Sequence, residues 1–304
     1  MHKIAVLGTI TKDTIICPDK KTEESLGGIL YNILALSVLG KNSVKVYPVC
    51  NVGYDIHNKV LRVLKEHQNI DSAAVKKVET KNQHNSLYYQ KDSNREEISK
   101  NFLPRLTYSQ IKQVIDSDVI LVNFISGSDI DLRSLMKLRT KSWALVFMDI
   151  HSLVLGRARN GKRFVKVPKN WRGWIGCADI VQCNFAEFCQ LSGRMLTKSA
   201  EIRNFARSII LSGPEILLVT RGQEKGYVFQ AAKRGIKFNR SSVPPFKGIK
   251  DPTGCGDVFS AGFLISHLKS NNPLSSANFG NSVATYKCKF LGIESLSMLS
   301  KLSL

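Results

Sequence analysis

The stretch Asp251-Pro252-Thr253-Gly254-Cys255-Gly256-Asp257 runs without a break into Val258-Phe259-Ser260-Ala261-Gly262-Phe263. Two glycines flank one small residue, an aspartate follows at once, and the sequence then turns apolar with helical spacing. Glycines admit a ligand close to the backbone, and a helix N-terminus offers unpaired N–H groups and the positive end of a dipole to an anion. A carboxylate beside such an anion hole suits phosphoryl transfer, in which the protein orients a hydroxyl and stabilises charge. The same string also describes a glycine-rich turn with Asp257 as an ordinary helix N-cap. The rest of the chain has to decide between the two.

At 304 residues the chain can hold one large α/β domain or two small ones, with ample core. Hydrophobic content of 43% and charged content of 22% are ordinary for a globular protein. No apolar run approaches the roughly 20 residues needed to cross a bilayer. Ile4-Ala5-Val6-Leu7-Gly8 reads as a buried first strand, too short for a signal-peptide core, so a cytoplasmic location is expected. The formal net charge of +20 favours anionic partners. The basic residues are dispersed, however: Lys20-Lys21 and Lys76-Lys77 are only pairs, and the run from Arg157 to Lys169 is broken by apolar residues and glycine. None has the aromatic interleaving of a nucleic-acid platform, which argues against nucleic acid as a partner. The seven cysteines, Cys17, Cys50, Cys177, Cys183, Cys189, Cys255 and Cys288, lack zinc spacing and read as reduced thiols in apolar surroundings. Cys255 stands apart, because a helix N-terminus there would lower its thiol pKa.

Apolar runs alternate with helix-like segments, which argues for βα units and a largely parallel sheet. Strands are expected at 4–7, 44–49, 119–124, 144–148, 180–183, 216–220 and 227–230. Helices are expected at 28–39, 56–66, 108–116, 186–191, 201–211, 257–269 and 277–290. Two polar, strand-like stretches break the rhythm, at about 11–24 and 85–100, the second reading as a hairpin around Asp92-Ser93-Asn94. Each is equally an exposed loop on this reading alone. There is no P-loop string and no protein-kinase set.

Taken whole, the string 251–257 resembles the C-terminal signature of the ribokinase-like (PfkB-type) carbohydrate kinases, with Pro252 and Cys255 as departures. The similarity extends over nearly the whole chain in the expected order. Gly8-Thr9-Ile10-Thr11-Lys12-Asp13 resembles the end of the family's first strand and its sugar-binding aspartate; by itself Asp13 is a turn residue as readily. Ser25-Leu26-Gly27-Gly28-Ile29-Leu30-Tyr31-Asn32 resembles the Gly-Gly motif with its downstream asparagine, and otherwise describes a helix start. Gly53-Tyr54-Asp55 fits the early loop. Asn184-Phe185-Ala186-Glu187 resembles the family's Asn-x-x-Glu motif and equally describes a capping box; both can hold at once. Thr220, Gly222 and Gly226 resemble the nucleotide loop, and Asn281 fits the helix bordering the adenine pocket.

The resemblance implies an α/β fold: a three-layer α/β/α domain over residues 1–304 with a central, mostly parallel sheet and a small β lid made by the stretches near 11–24 and 85–100. It implies an ATP-dependent kinase acting on a hydroxyl of a sugar or sugar-like small molecule. Asp257 is then the base, with Gly254, Cys255 and Gly256 around the anion hole. Asp13, Gly27, Gly28 and Asn32 hold the acceptor; Asn184, Glu187, Thr220, Gly222, Gly226 and Asn281 hold the nucleotide. Glu187 would hold Mg2+ through water, and Asp251 is a candidate ligand for a monovalent cation, K+. A homodimer through the lid is open on this resemblance. A nucleoside kinase on the same fold, or a catalytically idle relative used as a binding protein, are the competing readings. His151 is assigned no role.

Overall fold

Short runs rich in Val, Ile and Leu, apolar on both faces, are what a buried parallel strand requires, and in a computed structural model they form one. Residues 1–16, 22–89, 95–246, 248 and 250–302 are described. The chain opens on β1 (His2–Leu7), leaves for β2 (Ile10–Ile16) and β3 (Thr22–Gly28), and returns through α1 (Leu30–Gly40) to β4 (Val44–Gly53). Next come α2 (His57–Lys65), β5 (Val75–Val78), β6 (His84–Tyr89) and β7 (Arg95–Lys100). Then follow α3 (Tyr108–Ile111), β8 (Val119–Asn123), α4 (Leu132–Lys141), β9 (Leu145–Asp149), β10 (Leu155–Arg157), β11 (Arg163–Val165) and α5 (Trp171–Ile175). The last third runs β12 (Ile180–Asn184), α6 (Phe185–Ser192), α7 (Ser199–Ile210), β13 (Ile216–Arg221), β14 (Glu224–Ala232), β15 (Gly235–Arg240), α8 (Cys255–Ser270) and α9 (Pro273–Lys287).

The central sheet has the order β15-β14-β13-β12-β9-β8-β1-β4-β5. Every pair from β5 to β13 is parallel, and β14 and β15 close one edge antiparallel. Alternate residues of each strand feed two separate cores. Ile4 and Val6 of β1 pack under α1, α8 and α9, whereas Ala5 and Leu7 pack with α4, α6 and α7 on the other side. This is the three-layer α/β/α arrangement, and it is why both faces of the strands had to be apolar. α8 is buried continuously from Val258 to His267, since α1 and α9 flank it.

A second sheet stands apart, with order β3-β2-β6-β7. β2 pairs antiparallel with β3 and parallel with β6, which pairs antiparallel with β7. The expected strand stretches therefore lie in one sheet, but residues 17–21 and 90–94, including Cys17, Lys20-Lys21 and the Asp92-Ser93-Asn94 turn, fall outside the described residues. Gly53-Tyr54-Asp55 anchors this excursion. The Asn82 N–H donates to Asp55 Oδ1 at 2.7 Å, the Gly53 N–H donates to Asn82 Oδ1 at 2.9 Å, and a Cβ at Gly53 would lie 2.1 Å from the Asn82 nitrogen.

Five of the seven expected strands lengthen by one to five residues, the one at 119–124 ends a residue earlier, and the one at 144–148 shifts by one; the helix expected at 108–116 shortens to α3 followed by a 3-10 turn over Lys112–Val114. α4 has no expectation behind it: among its ten residues only Leu135 and Leu138 supply fully buried apolar side chains, too few to stand out as a period. Among the described residues no helix is long and apolar enough to cross a membrane.

α8 and α9 approach closely over two glycines. A Cβ at Gly280 would sit 2.9 Å from the Phe259 carbonyl oxygen, and one at Gly262 would meet Val283 at 2.9 Å. Backbone cannot yield as a side-chain tip can, so Gly280→Ala is expected to cost about 1–3 kcal/mol of stability by overpacking. Thermal unfolding should show a loss of several degrees; an unchanged melting curve would mean that the helices are further apart than this.

Candidate active site

The loops after the parallel strands all open on the same edge of the sheet, the edge at which open α/β sheets bind ligands. There they frame a cleft of about 410 Å³. Thr11, Asp13, Asn85, Leu87 and Glu97 reach it from the four-stranded sheet, Asp149, His151, Asn184 and Thr220 from the strand ends, and 252–257 from the start of α8.

Gly254 sits at φ 75°, a left-handed conformation, and a Cβ there would lie 2.5 Å from the Tyr31 ring, so only glycine fits. The turn it makes starts α8 at Cys255, leaving the first-turn N–H groups of Gly256 and Asp257 without intrahelical acceptors. The Cys255 N–H is already turned onto the Pro252 carbonyl at 3.2 Å, which sets it apart from Gly254 and Gly256. A Cβ at Gly256 would meet only Gln182 Nε2, at 3.8 Å, so nothing in the protein demands a glycine there.

Three amides fix this helix start against the strand ends. Asn123, the last residue of β8, donates from Nδ2 to Asp257 Oδ1 at 2.6 Å and to Asn32 Oδ1 at 2.9 Å. Asn32 in turn donates to the Asp257 carbonyl at 2.9 Å. Gln182 of β12 donates to Asp149 Oδ2 at 2.8 Å and to the Gly256 carbonyl at 3.0 Å, and it accepts from the Ser260 hydroxyl at 2.9 Å. Asn123 and Gln182 are polar residues inside otherwise apolar strands. That oddity is the signal by which the sequence could have yielded them.

Charge is concentrated in the cleft. Burial pushes the Asp257 carboxyl above its usual range, against the opposing pull of His151, the Asn123 hydrogen bond and Lys287. Asp149 is pushed well above its usual range, first by burial and then by Glu187 and Asp257. For His151 burial disfavours the charged form, but the Glu187 contact and the Asp149 and Asp257 carboxylates outweigh it and carry the imidazolium to about 9. Its Nδ1 lies 3.5 Å from Glu187 Oε1, and its φ of 24° is unusual for a non-glycine residue.

The residues singled out from the sequence separate into groups. Asp13 is buried in β2, where Asn85 Nδ2 donates to its Oδ1 at 3.1 Å. Gly27 stands opposite: a Cβ there would come within 1.9 Å of the Asp13 carboxylate, while Gly28 adopts φ 63° beneath the Thr9 carbonyl. Asn32, expected at the acceptor, is fully buried and serves as a clamp on α8. Asn184 and Glu187 form the capping box of α6, with N–H to Oε2 at 2.8 Å and the return bond at 2.9 Å. Thr220, Gly222 and Asn281 line the cleft. Gly226 does not; it packs on Ser241 and the Val219 carbonyl.

Two expectations are overturned. The Cys255 thiol is raised, because it shares a hydrogen bond with Cys288 Sγ at 2.8 Å and is buried; Cys288 is the one lowered. Asp251 does not offer an open cation site. Lys287 Nζ donates to Asp251 Oδ2 at 2.8 Å, to the Asp251 carbonyl at 3.2 Å and to the Thr253 carbonyl, so an ammonium already fills the cage. Among the described residues, no group of three or more His, Cys, Asp or Glu is arranged to hold a metal ion.

Residues 157–295 match the sequence model of the pfkB family carbohydrate kinases. A cytidine kinase from Thermococcus kodakarensis is 23% identical over 271 residues, which cover 88% of this chain and 90% of that protein. Among solved structures, a pyrophosphate-dependent kinase of the ribokinase family superposes with a TM-score of 0.80 at 19% identity, covering 98% of this chain and all of the other. Thermotoga maritima ribokinase superposes with a TM-score of 0.74 at 17% identity, covering 99% and 98%. Over residues 157–295 the chain carries the PfkB-type kinase sequence pattern, and over its whole length it has the ribokinase fold.

A histidine whose folded pKa lies above its ordinary 6.5 contributes stability that is fully present below pH 6.5 and is lost as pH rises through about 9. The side chain is 39% exposed, so water screens the Glu187 pair to on the order of 1 kcal/mol. His151→Gln should therefore lower the melting temperature by roughly 2–4 °C at pH 6.5 and leave it nearly unchanged above pH 9.5. An equal loss at both pH values would remove the ion pair as its cause.

Proposed function

We propose that the protein is a phosphotransferase that carries the terminal phosphoryl group of ATP to a hydroxyl of a neutral, polyhydroxylated small molecule. One observation carries the reading: the only carboxylate placed at the start of α8, Asp257, is held by Asn123 beside first-turn N–H groups that face the cleft. That juxtaposition puts a proton acceptor next to a seat for anionic oxygens. The missing side chain at Gly256, unneeded by the protein itself, keeps the seat open.

The acceptor end is argued from its lining. Asp13, Asn85, Thr11 and Glu97 are hydroxyl partners, Leu87 and Ile125 supply apolar walls, and among the described residues no Lys or Arg lines the cleft. Such a pocket favours a sugar, polyol or nucleoside ribose over a phosphorylated sugar. The family match over residues 157–295 supports kinase chemistry, and the cytidine kinase relative supports a nucleoside as readily as a free sugar.

Asp257 accepts the proton of the attacking hydroxyl, and the raised pKa brings it nearer to the working pH. The N–H groups of Gly254 and Gly256 receive the phosphoryl oxygens, and the imidazolium of His151 supplies positive charge at the same end. The four-stranded sheet acts as a lid that excludes water. Mg2+ fits the donor set: Asp149 and Asp257 are crowded carboxylates whose pKa values burial and mutual repulsion raise, and a cation relieves that. Asp149, with Glu187 behind it, would hold the ion through water, and the bound ion would neutralise charge on the phosphates.

ADP release is expected with Mg-ATP and a neutral acceptor from a panel of sugars, polyols, sugar phosphates and nucleosides. Turnover from pyrophosphate and not ATP would replace the donor, a reading favoured by the pyrophosphate-dependent structural neighbour. No turnover with any pair would leave a binding protein. Asp257→Asn should keep the fold and nucleotide binding while turnover falls about 10²–10⁴-fold; near-normal turnover would remove Asp257 as the base. Asp13→Ala should raise the apparent acceptor constant and leave nucleotide affinity, read by calorimetry, close to wild type. An equal loss of both, with a lower melting temperature, would make Asp13 structural.

A further inference from the structure

Lys287 is the only charged residue of α9, stands at its last position, and is 1% exposed. A buried ammonium has to be matched, and this one is matched completely. Its three N–H donors go to Asp251 Oδ2, the Asp251 carbonyl and the Thr253 carbonyl. The α9 carboxyl end, the negative pole of the helix, adds to the match, and the Tyr31 ring lies 5.1 Å away. The Asp251 carboxylate is saturated in the same way, accepting from the N–H groups of Thr253 at 2.8 Å and Gly292 at 3.2 Å as well. Two backbone carbonyls and a carboxylate around one positive charge are what a monovalent cation would ask for. A cation entering this cage would face an ammonium already in place.

The cage is coupled to the loop above it by peptide geometry. In a trans peptide the C=O and N–H point in opposite directions. With the Thr253 carbonyl drawn down onto Lys287, the Gly254 N–H is turned the other way, toward the cleft. Residue 252 is proline and contributes no N–H, and the Thr253 N–H is spent on Asp251 Oδ1, so Gly254 carries the first donor of the loop left for a ligand.

We propose that Lys287 is a built-in monovalent cation: its ammonium holds the 251–254 loop in the conformation that aims Gly254 at an anion, and the protein works without K+ or Na+. Lys287 is a positioning residue, acting through the loop it holds. The kinetic part rests on the proposed phosphoryl transfer; the thermal part does not, so the two can fail separately.

The first test uses the wild-type protein in KCl, NaCl and tetramethylammonium chloride at equal ionic strength, with the melting temperature and turnover as readouts. Both are expected to agree among the three salts. A melting temperature that rises in K+ relative to tetramethylammonium, or K+ stimulation of several-fold, would overturn the inference. The second test opens the cage. Lys287→Ala leaves a buried carboxylate without its partner, so the melting temperature should fall by roughly 10 °C and turnover more than tenfold. K+ or NH4+, and not tetramethylammonium, should recover part of both. Where Lys287→Ala does not fold, Lys287→Met with Asp251→Asn removes both charges at similar volume. That variant should melt close to wild type, show weakened binding of Mg-ATP by calorimetry, and gain nothing from K+. Wild-type-like melting and nucleotide affinity in Lys287→Met alone, in every salt, would return Lys287 to an inert buried position.

Discussion

The start of α8 has to sit against the carboxyl ends of β8 and β12, and everything in the cleft depends on its staying there. Side-chain amides hold it there, with donors that reach both the carbonyls and the carboxylates of the helix start and the strand ends. Asn123 reaches from β8 to Asp257 and Asn32, and Gln182 reaches from β12 to the Gly256 carbonyl, Asp149 and Ser260. None of the three amides titrates, and the titratable groups they hold are the carboxylates of Asp257 and Asp149. The clamp fixes a carboxylate without neutralising it, which an arginine in the same place would not do.

The electrostatics of the cleft run against those of the chain. A protein with a formal charge of +20 lines its cleft with Asp13, Glu97, Asp149 and Asp257 and, among the described residues, admits one basic side chain, His151. The excess of lysine and arginine therefore belongs to surfaces away from the cleft. Inside it burial first and neighbouring carboxylates second raise Asp149 and Asp257, and the same carboxylates raise His151 by holding its charged form. An anionic donor would not enter such a space unaccompanied. It would have to arrive with its own counter-charge and meet oriented N–H groups, the two conditions that the proposed magnesium nucleotide would meet at the start of α8.

How much of this is legible in the sequence follows from the kind of signal each part leaves. The strands are readable because a parallel strand covered on both faces must be apolar throughout, and 119–123 and 216–221 are close to that limit. The 251–257 string is readable because glycine, glycine and aspartate have few other reasons to stand so close. Asn32 falls on the expected helix but clamps α8 and does not hold an acceptor. Spacing tells which face a residue takes, and it is silent about the partner that Asn123 supplies from 91 residues away. The helix dipole alone predicts a lowered Cys255 thiol, whereas its neighbour Cys288 arrives from beyond the end of another helix and decides the proton. The segment 108–116 carries a helical pattern and keeps it for little more than one turn before a 3-10 turn takes over.

The same limit explains Lys287, one basic residue among 44 in the sequence. Counting charges could not single it out, because a surface lysine and a buried one are identical as letters. Its setting does differ: the fourteen positions before it in α9 carry no charge at all. A lone charge closing an uncharged helix has either to reach solvent or to meet an opposite charge inside. Here the partner is Asp251, the first residue of the glycine-rich string 251–257. That aspartate has the appearance of a ligand for a free ion and is instead half of a pair internal to the fold, joining the end of the last helix to the loop that opens the one before it. The loop's conformation is thereby fixed by folding itself, before any ligand arrives, and preorganised N–H groups of that kind cost no rearrangement when charge develops beside them.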